Sequence, residues 1–172
     1  MEFDNSFSYA IAFGFMPRFF DDDPHDRYLF EEEGDVTEIY FIMHGDWGVA
    51  FDSFAKSDHQ GLQLEEEDKE MLGTRDMCER GILVAQRRMN YGYIGDYYVL
   101  ASKRSQFYYV ALQSRVEAFA LTKKFLFKTL FKKFPGLHSE MLAESFSRYI
   151  REFRKPCGKK RNEMIKKLNK KK

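Results

Sequence analysis

Between Arg27 and Leu121 the apolar residues fall into short runs of period two, and after Thr122 they recur at helical spacing. That single change of period constrains the fold more than any other feature of the chain, because a strand alternates faces at every residue while a helix returns to one face every three or four. The runs Tyr28 to Phe30, Ile39 to Met43 and Trp47 to Phe54 are β-branched or aromatic and are separated by Gly34, Gly45 and acidic turns. Ile82 to Gln86, Tyr91 to Leu100, Phe107 to Leu112 and Val116 to Leu121 continue the pattern, for about eight short strands in antiparallel sheet closing into a barrel or roll. Alternation puts Trp47, Val49 and Phe51 on one face, which marks Trp47 as core or rim.

Beyond the strands, Thr122 is placed to cap a helix whose stripe is Phe125, Leu126, Leu130 and Phe134, ended by Pro135-Gly136. A second helix carries Met141, Leu142, Phe146, Tyr149, Ile150 and Phe153 at helical spacing and is expected to stop at Pro156. Upstream, residues 1–20 read as short docking helices ending before Pro17. The expected organisation is therefore α+β: N-terminal helices over 1–20, an eight-stranded antiparallel β-roll of jelly-roll type over 21–121, hinge and second helix over 122–155, and a basic, disordered tail over 156–172. Within the roll, 55–81 reads as an acidic surface insertion.

Charge is distributed in two blocks. Residues 1–72 hold 4 basic and 19 acidic side chains, and residues 73–172 hold 24 and 8. From Arg151 onward there are 11 basic and 2 acidic residues, a polycation suited to anionic inner-leaflet lipid or an acidic protein partner. No recognition helix or base-stacking module accompanies that charge, so nucleic acid is not an expected partner. The two cysteines, Cys78 and Cys157, sit in charged neighbourhoods and read as free thiols of a reducing compartment. The longest apolar stretch, Tyr9 to Met16, is far too short to cross a bilayer.

Catalysis finds little support. His25, His44, His59 and His138 lack metal-ligand spacing, and there is no nucleophile elbow or phosphate loop. The run Glu65-Glu66-Glu67-Asp68 lacks the alternating oxygens and fixed glycine of a calcium loop, so no metal is expected.

The stretch Tyr91 to Ala111, YGYIGDYYVLASKRSQFYYVA, carries the candidate site. Gly95 can take positive φ and bring backbone N–H groups close to an anion, and the Asp96 carboxylate can accept from a ribose hydroxyl. Together with Gly34-Asp35, Tyr40-Phe41-Ile42 and Gly45 upstream, the IGDYYVL motif resembles the cyclic-nucleotide-binding domain and its homology-domain relatives. It is most similar to the cytoplasmic domains of cyclic-nucleotide-gated and EAG-like ion channels, in wording close to ciliate versions, from Met16 to Phe153. The resemblance implies a β-roll whose last helix is a lid, docking or undocking to gate a pore in a voltage-gated cation or potassium channel. The implied location is the cytoplasmic side of a membrane, with the isolated chain soluble. Channel linker and neighbouring subunits are the implied partners, and a cyclic nucleotide is the one regulatory ligand, with no cofactor.

Carried onto this chain, the implied nucleotide-binding set is Gly95, Asp96, Tyr98, Val99, Arg104, Ser105, Gln106 and Arg148. The sequence departs from the family where it matters. The phosphate arginine falls on Ser105, and the small pair after it falls on Gln106 and Phe107. Losing that charge-assisted bond costs about 1.5–3 kcal/mol. Arg104 reaches the phosphate only if the strand slips by one residue, and Tyr108 or Tyr109 adds bulk where the family keeps small groups. Arg148 stands where some relatives hold a lid arginine over the purine. The expected function is a regulatory domain with a degraded or self-filled pocket; the alternative is a working cAMP or cGMP sensor of a channel, an exchanger or a free-standing cytosolic protein.

Overall fold

The computed structural model describes residues 5–21, 23, 26–52, 77, 81–112 and 115–170. Among the described residues eight strands form two antiparallel sheets of four: β1 (Phe15–Phe20), β8 (Val116–Thr122), β3 (Glu38–His44) and β6 (Gly92–Ile94) in one, and β2 (Tyr28–Phe30), β7 (Tyr108–Ala111), β4 (Asp46–Asp52) and β5 (Ile82–Met89) in the other. Their facing sides enclose Trp47, Val49, Phe51, Ile42, Tyr98, Tyr109 and Val116, each no more than 2% exposed. Of the insertion 55–81, only Met77 and Gly81 are described, so its acidic run and Cys78 lie outside the described residues.

A helix α1 (Asn5–Ala12) precedes the roll. The expectation that helices fill 1–20 is corrected here, since Phe15–Phe20 is a strand and Pro17 lies within it, opposite Phe119. Proline is tolerated because β1 is an edge strand, paired among the described residues with β8 alone, and a residue without an N–H costs nothing on the unpaired side.

A second correction concerns Tyr91 to Leu100, expected as strand throughout. After β6 the chain turns at Gly95, with φ 88°, into a short helix α2 (Asp96–Leu100). Alternation cannot persist through a left-handed residue, and the apolar run that follows is buried on helical geometry: Tyr98, Val99 and Leu100 are 2%, 0% and 3% exposed.

Past β8, Thr122 caps α3 (Lys123–Phe125), its hydroxyl accepting from Phe125 N at 3.1 Å. A π-helical turn at Leu126–Leu130 leads to α4 (Phe131–Lys133), and the chain resumes at α5 (Leu137–Tyr149). Here a third correction is needed, because neither the stop at Pro156 nor the disordered tail is found. α5 passes through a π-helical turn at Ile150–Arg154 into α6 (Lys155–Lys170). Proline removes the donor that would serve the carbonyl four residues back, Glu152. The register shift of the π turn accommodates the ring, and Glu152 O instead accepts from Arg88 Nη2 at 3.4 Å.

What orders α6 is burial of one stripe against the roll. Cys157 and Met164 are 0% and 8% exposed, and Arg161 lies 5.4 Å from the Phe51 ring with Glu32 3.8 Å away. Burial pushes the Cys157 thiol up to about 12, so almost no thiolate exists at neutral pH. Alkylation by iodoacetamide at pH 8, mapped by peptide mass, is expected to be at least about a hundredfold slower at Cys157 in the native chain than in denaturant. Equal rates would mean that α6 does not dock.

Candidate functional site

The Gly95 turn sets the site. A Cβ there would lie 2.7 Å from Phe30 Cζ and 2.8 Å from Glu38 O, so only glycine allows the β6–α2 corner to pack so closely. The corner delivers Asp96, 6% exposed, into the space between the roll and α5. There its carboxylate accepts from Arg148 Nη2 of α5, itself 7% exposed. The Arg148 guanidinium lies 3.8 Å from the Tyr93 ring centroid and 5.5 Å from that of Phe153. Burial raises the Asp96 pKa, with Arg148 pulling it back down, so the pair holds together against a desolvation cost.

Arg88, from the second sheet, approaches the same place. Its guanidinium lies 5.2 Å from the Phe153 ring and 5.9 Å from the Trp47 ring. Glu152 Oε2 stands 3.7 Å from both Arg88 Nη1 and Arg148 Nη1, so one carboxylate is shared between two cations. Three buried polar atoms nearby, Trp47 Nε1, Gln86 Oε1 and Arg148 Nε, have no hydrogen-bond partner.

The remaining space is aromatic. Tyr149 stacks on Tyr97 with centroids 4.6 Å apart, and meets Tyr98 edge-on at 5.3 Å. Its hydroxyl donates to Gln106 Oε1, while Gln106 N donates to the Tyr98 hydroxyl at 3.2 Å. Tyr109 closes the column, 5.8 Å from Phe153 and 6.4 Å from Trp47. Burial raises the phenol pKa of Tyr98, Tyr109 and Tyr149, which therefore stay neutral.

Of the residues singled out in the sequence, Gly95, Asp96, Tyr98, Gln106 and Arg148 converge. Three do not contribute a group. Val99 is core, at 0% exposed. Arg104 points to solvent, 66% exposed, and pairs with Asp35 at 3.3 Å. Ser105 is fully buried and spends its hydroxyl on the turn that leads into β7, donating to Phe107 O at 2.6 Å. Its backbone N donates to Gly34 O at 3.0 Å and its carbonyl accepts from Glu33 N at 2.8 Å, which locks the register.

Sequence reasoning missed Arg88, Glu152 and the bonding role of Tyr149. Alternation could not have found Arg88: it pairs with Trp47 and Gln86 pairs with Val49, but the register shift beyond Gln86 sets Val84 opposite Ala50 in a separate cluster, so parity along the strand is broken. Among the described residues no group of three acidic, histidine or cysteine side chains is placed to hold a metal, and no helix is long and apolar enough to cross a membrane.

No protein-family model and no curated protein sequence matches the chain. Solved structures do match, and they include a protein-kinase regulatory domain and transcription regulators. The regulatory domain of Toxoplasma gondii PKA, in complex with cAMP, aligns over 85% of this chain at 13% identity and a TM-score of 0.52. The Thermus thermophilus catabolite activator protein aligns over 88% at 16% identity and 0.55. The N-terminal domain of a Streptomyces coelicolor transcriptional regulator aligns over 87% at 14% and 0.54. This chain spans 44% of the first of those proteins, 57% of the second and 84% of the third. The two sheets with C-terminal helices are thus the cyclic-nucleotide-binding jelly-roll fold.

Proposed function

We propose that this chain is a regulatory domain of cyclic-nucleotide-binding type whose ligand space is filled by its own lid, the helical run from Leu137 through α6. One observation carries the reading: Asp96, at the position of the ribose-binding acid, is already engaged by Arg148 of that run. Supporting it, Ser105 supplies no cation, and Tyr149 with Gln106 and Tyr98 takes the hydrogen bonds that a nucleotide would need. In this reading the domain is non-catalytic and works by lid docking. The docked state is stabilised from within, and regulation shifts the balance between docked and undocked lid.

The setting we propose is the cytoplasmic side of a cation channel of potassium type, joined to its linker and neighbouring subunits. That setting rests on the resemblance of the Gly34 to Gly45 and Ile94 to Leu100 motifs to channel domains. The exposed Arg151, Arg154, Lys155, Lys159 and Lys166 would then face anionic inner-leaflet lipid.

A second reading is favoured by the unpartnered Arg148 Nε and Trp47 Nε1 beside Arg88. Arg88 and Arg148 together could replace the missing phosphate arginine in a working sensor. Calorimetry and thermal shift with cAMP and cGMP separate the two. Ligand at a hundred times its dissociation constant adds about 2.7 kcal/mol of stability. No heat and no shift at millimolar nucleotide is the expected result; saturable micromolar binding would overturn the self-filled pocket and select the sensor.

A further inference from the structure

The lid docks on two different parts of the molecule. α5 lies against α2, where Tyr149 stacks on Tyr97 and Phe146 meets the same ring at 5.6 Å. α6 lies against the second sheet, with Arg161 over the Phe51 ring of β4 and near Glu32, whose carboxylate accepts from Asp52 N at 2.8 Å. Between the two comes the π-helical turn at Ile150–Arg154, and Pro156 follows two residues on. Arg88 reaches this junction from β5. Its Nη2 donates to Glu152 O at 3.4 Å and its Nη1 stands 3.7 Å from Glu152 Oε2, while the guanidinium lies 5.2 Å from the Phe153 ring and 5.9 Å from that of Trp47.

We propose that Arg88 is the latch of the lid: it replaces the backbone donor that Pro156 lacks, and its release lets α6 leave the second sheet at the π turn while α5 stays docked. The inference rests on the lid of the proposed function and adds what holds and frees its outer half. A residue with an N–H at position 156 would hold Glu152 O within the helix, with no need of a cation from the roll. Proline passes that bond to a side chain of another element, so the closure of the turn depends on contact with the roll.

Exposure sets the order of release. The clamp on α5, Arg148 with Asp96, has side chains 8% and 9% exposed, so water and salt barely reach it. The side chains of Arg88 and Glu152 are 35% and 30% exposed, and their charged groups stand beyond hydrogen-bond distance, which leaves the latch open to screening. The outer half of the lid is therefore the half that lets go first.

Cys157, next to Pro156 and 0% exposed, reports the state of α6. Its labelling by iodoacetamide at about pH 8, mapped by peptide mass, measures how often the helix opens. Arg88→Met keeps an apolar stem between the two rings and removes the donor and the charge. It should speed labelling of Cys157 at least about tenfold. Loss of the charge alone works the other way, because Arg88 lowers the Cys157 thiol pKa and its removal would slow the reaction, so acceleration reads opening. Pro156→Ala restores the N–H, and in that background Arg88→Met should speed labelling by less than about threefold. Hydrogen exchange locates the opening: in Arg88→Met, amides of α6 should lose protection while those of α5 and β4 keep it. Circular dichroism checks folding, and Arg88→Lys serves if the methionine variant does not fold, since an ammonium lacks the planar fork that reaches carbonyl and carboxylate together. Unchanged labelling in the Arg88 variant would overturn the proposal. So would an equal acceleration in the Pro156→Ala background, or loss of α5 protection along with that of α6. Nucleotide takes no part in these measurements, so a failure here and a failure of the self-filled pocket are read separately.

Discussion

Replacing Arg148 by alanine is expected to destabilise the chain by about 3–5 kcal/mol, because it strands the Asp96 carboxylate in a space from which water is excluded. Asp96→Ala should cost a similar amount, leaving the guanidinium with only Glu152 and two aromatic rings for company. The double variant should cost clearly less than the sum, since the second substitution removes the very charge that the first left unpaired. Urea unfolding of the four proteins yields this coupling directly. Additive losses would show that the two side chains do not hold each other, and the self-filled reading of the pocket would fail with them. Hydrogen exchange adds a spatial check: in either single variant, amides of α5 and α6 should lose protection before those of β4 and β7.

The second large effect is expected at Gly95. Gly95→Ala forces a side chain into φ 88°, which costs about 1–2 kcal/mol. It also drives a Cβ to within 2.8 Å of the Glu38 carbonyl oxygen and 2.7 Å of the Phe30 ring, and overpacking of this kind costs about 1–3 kcal/mol more. Gly136 offers an internal control. It has the same φ of 88°, but a Cβ there would meet nothing within 4 Å. Gly136→Ala should therefore show the conformational cost alone, and the difference between the two variants in urea unfolding isolates the close approach. Equal losses at both positions would mean that the β6–α2 corner is not packed as described.

How far the site could be read in advance depends on the distance over which its geometry is decided. Gly95, Asp96 and the Thr122 cap were legible because each rests on local chemistry: a left-handed turn, a carboxylate beside it, a hydroxyl three residues before an N–H. The cations were not. Arg88, Arg104 and Arg148 are equivalent as letters, and only the register of β5, the bridge between Asp35 and Arg104, and the rotation of α5 send Arg88 and Arg148 inward and Arg104 out. The prolines divide in the same way. Pro135 ends a helical segment as expected from its immediate surroundings, whereas Pro17 sits in a strand because that strand is an edge, and Pro156 is carried through a helix because Arg88 caps the carbonyl it orphans.

By itself, then, the amino-acid sequence determined the alternation that makes a roll, the helical stripe that follows it, and the turn that presents Asp96, since all three are set by neighbours within a few positions. The tertiary structure alone decided that the basic segment Lys155–Lys170 is a helix and that the acid is met by an arginine 52 residues away. Those outcomes depend on which surfaces come together, and burial between distant segments has no signature in the spacing of either one.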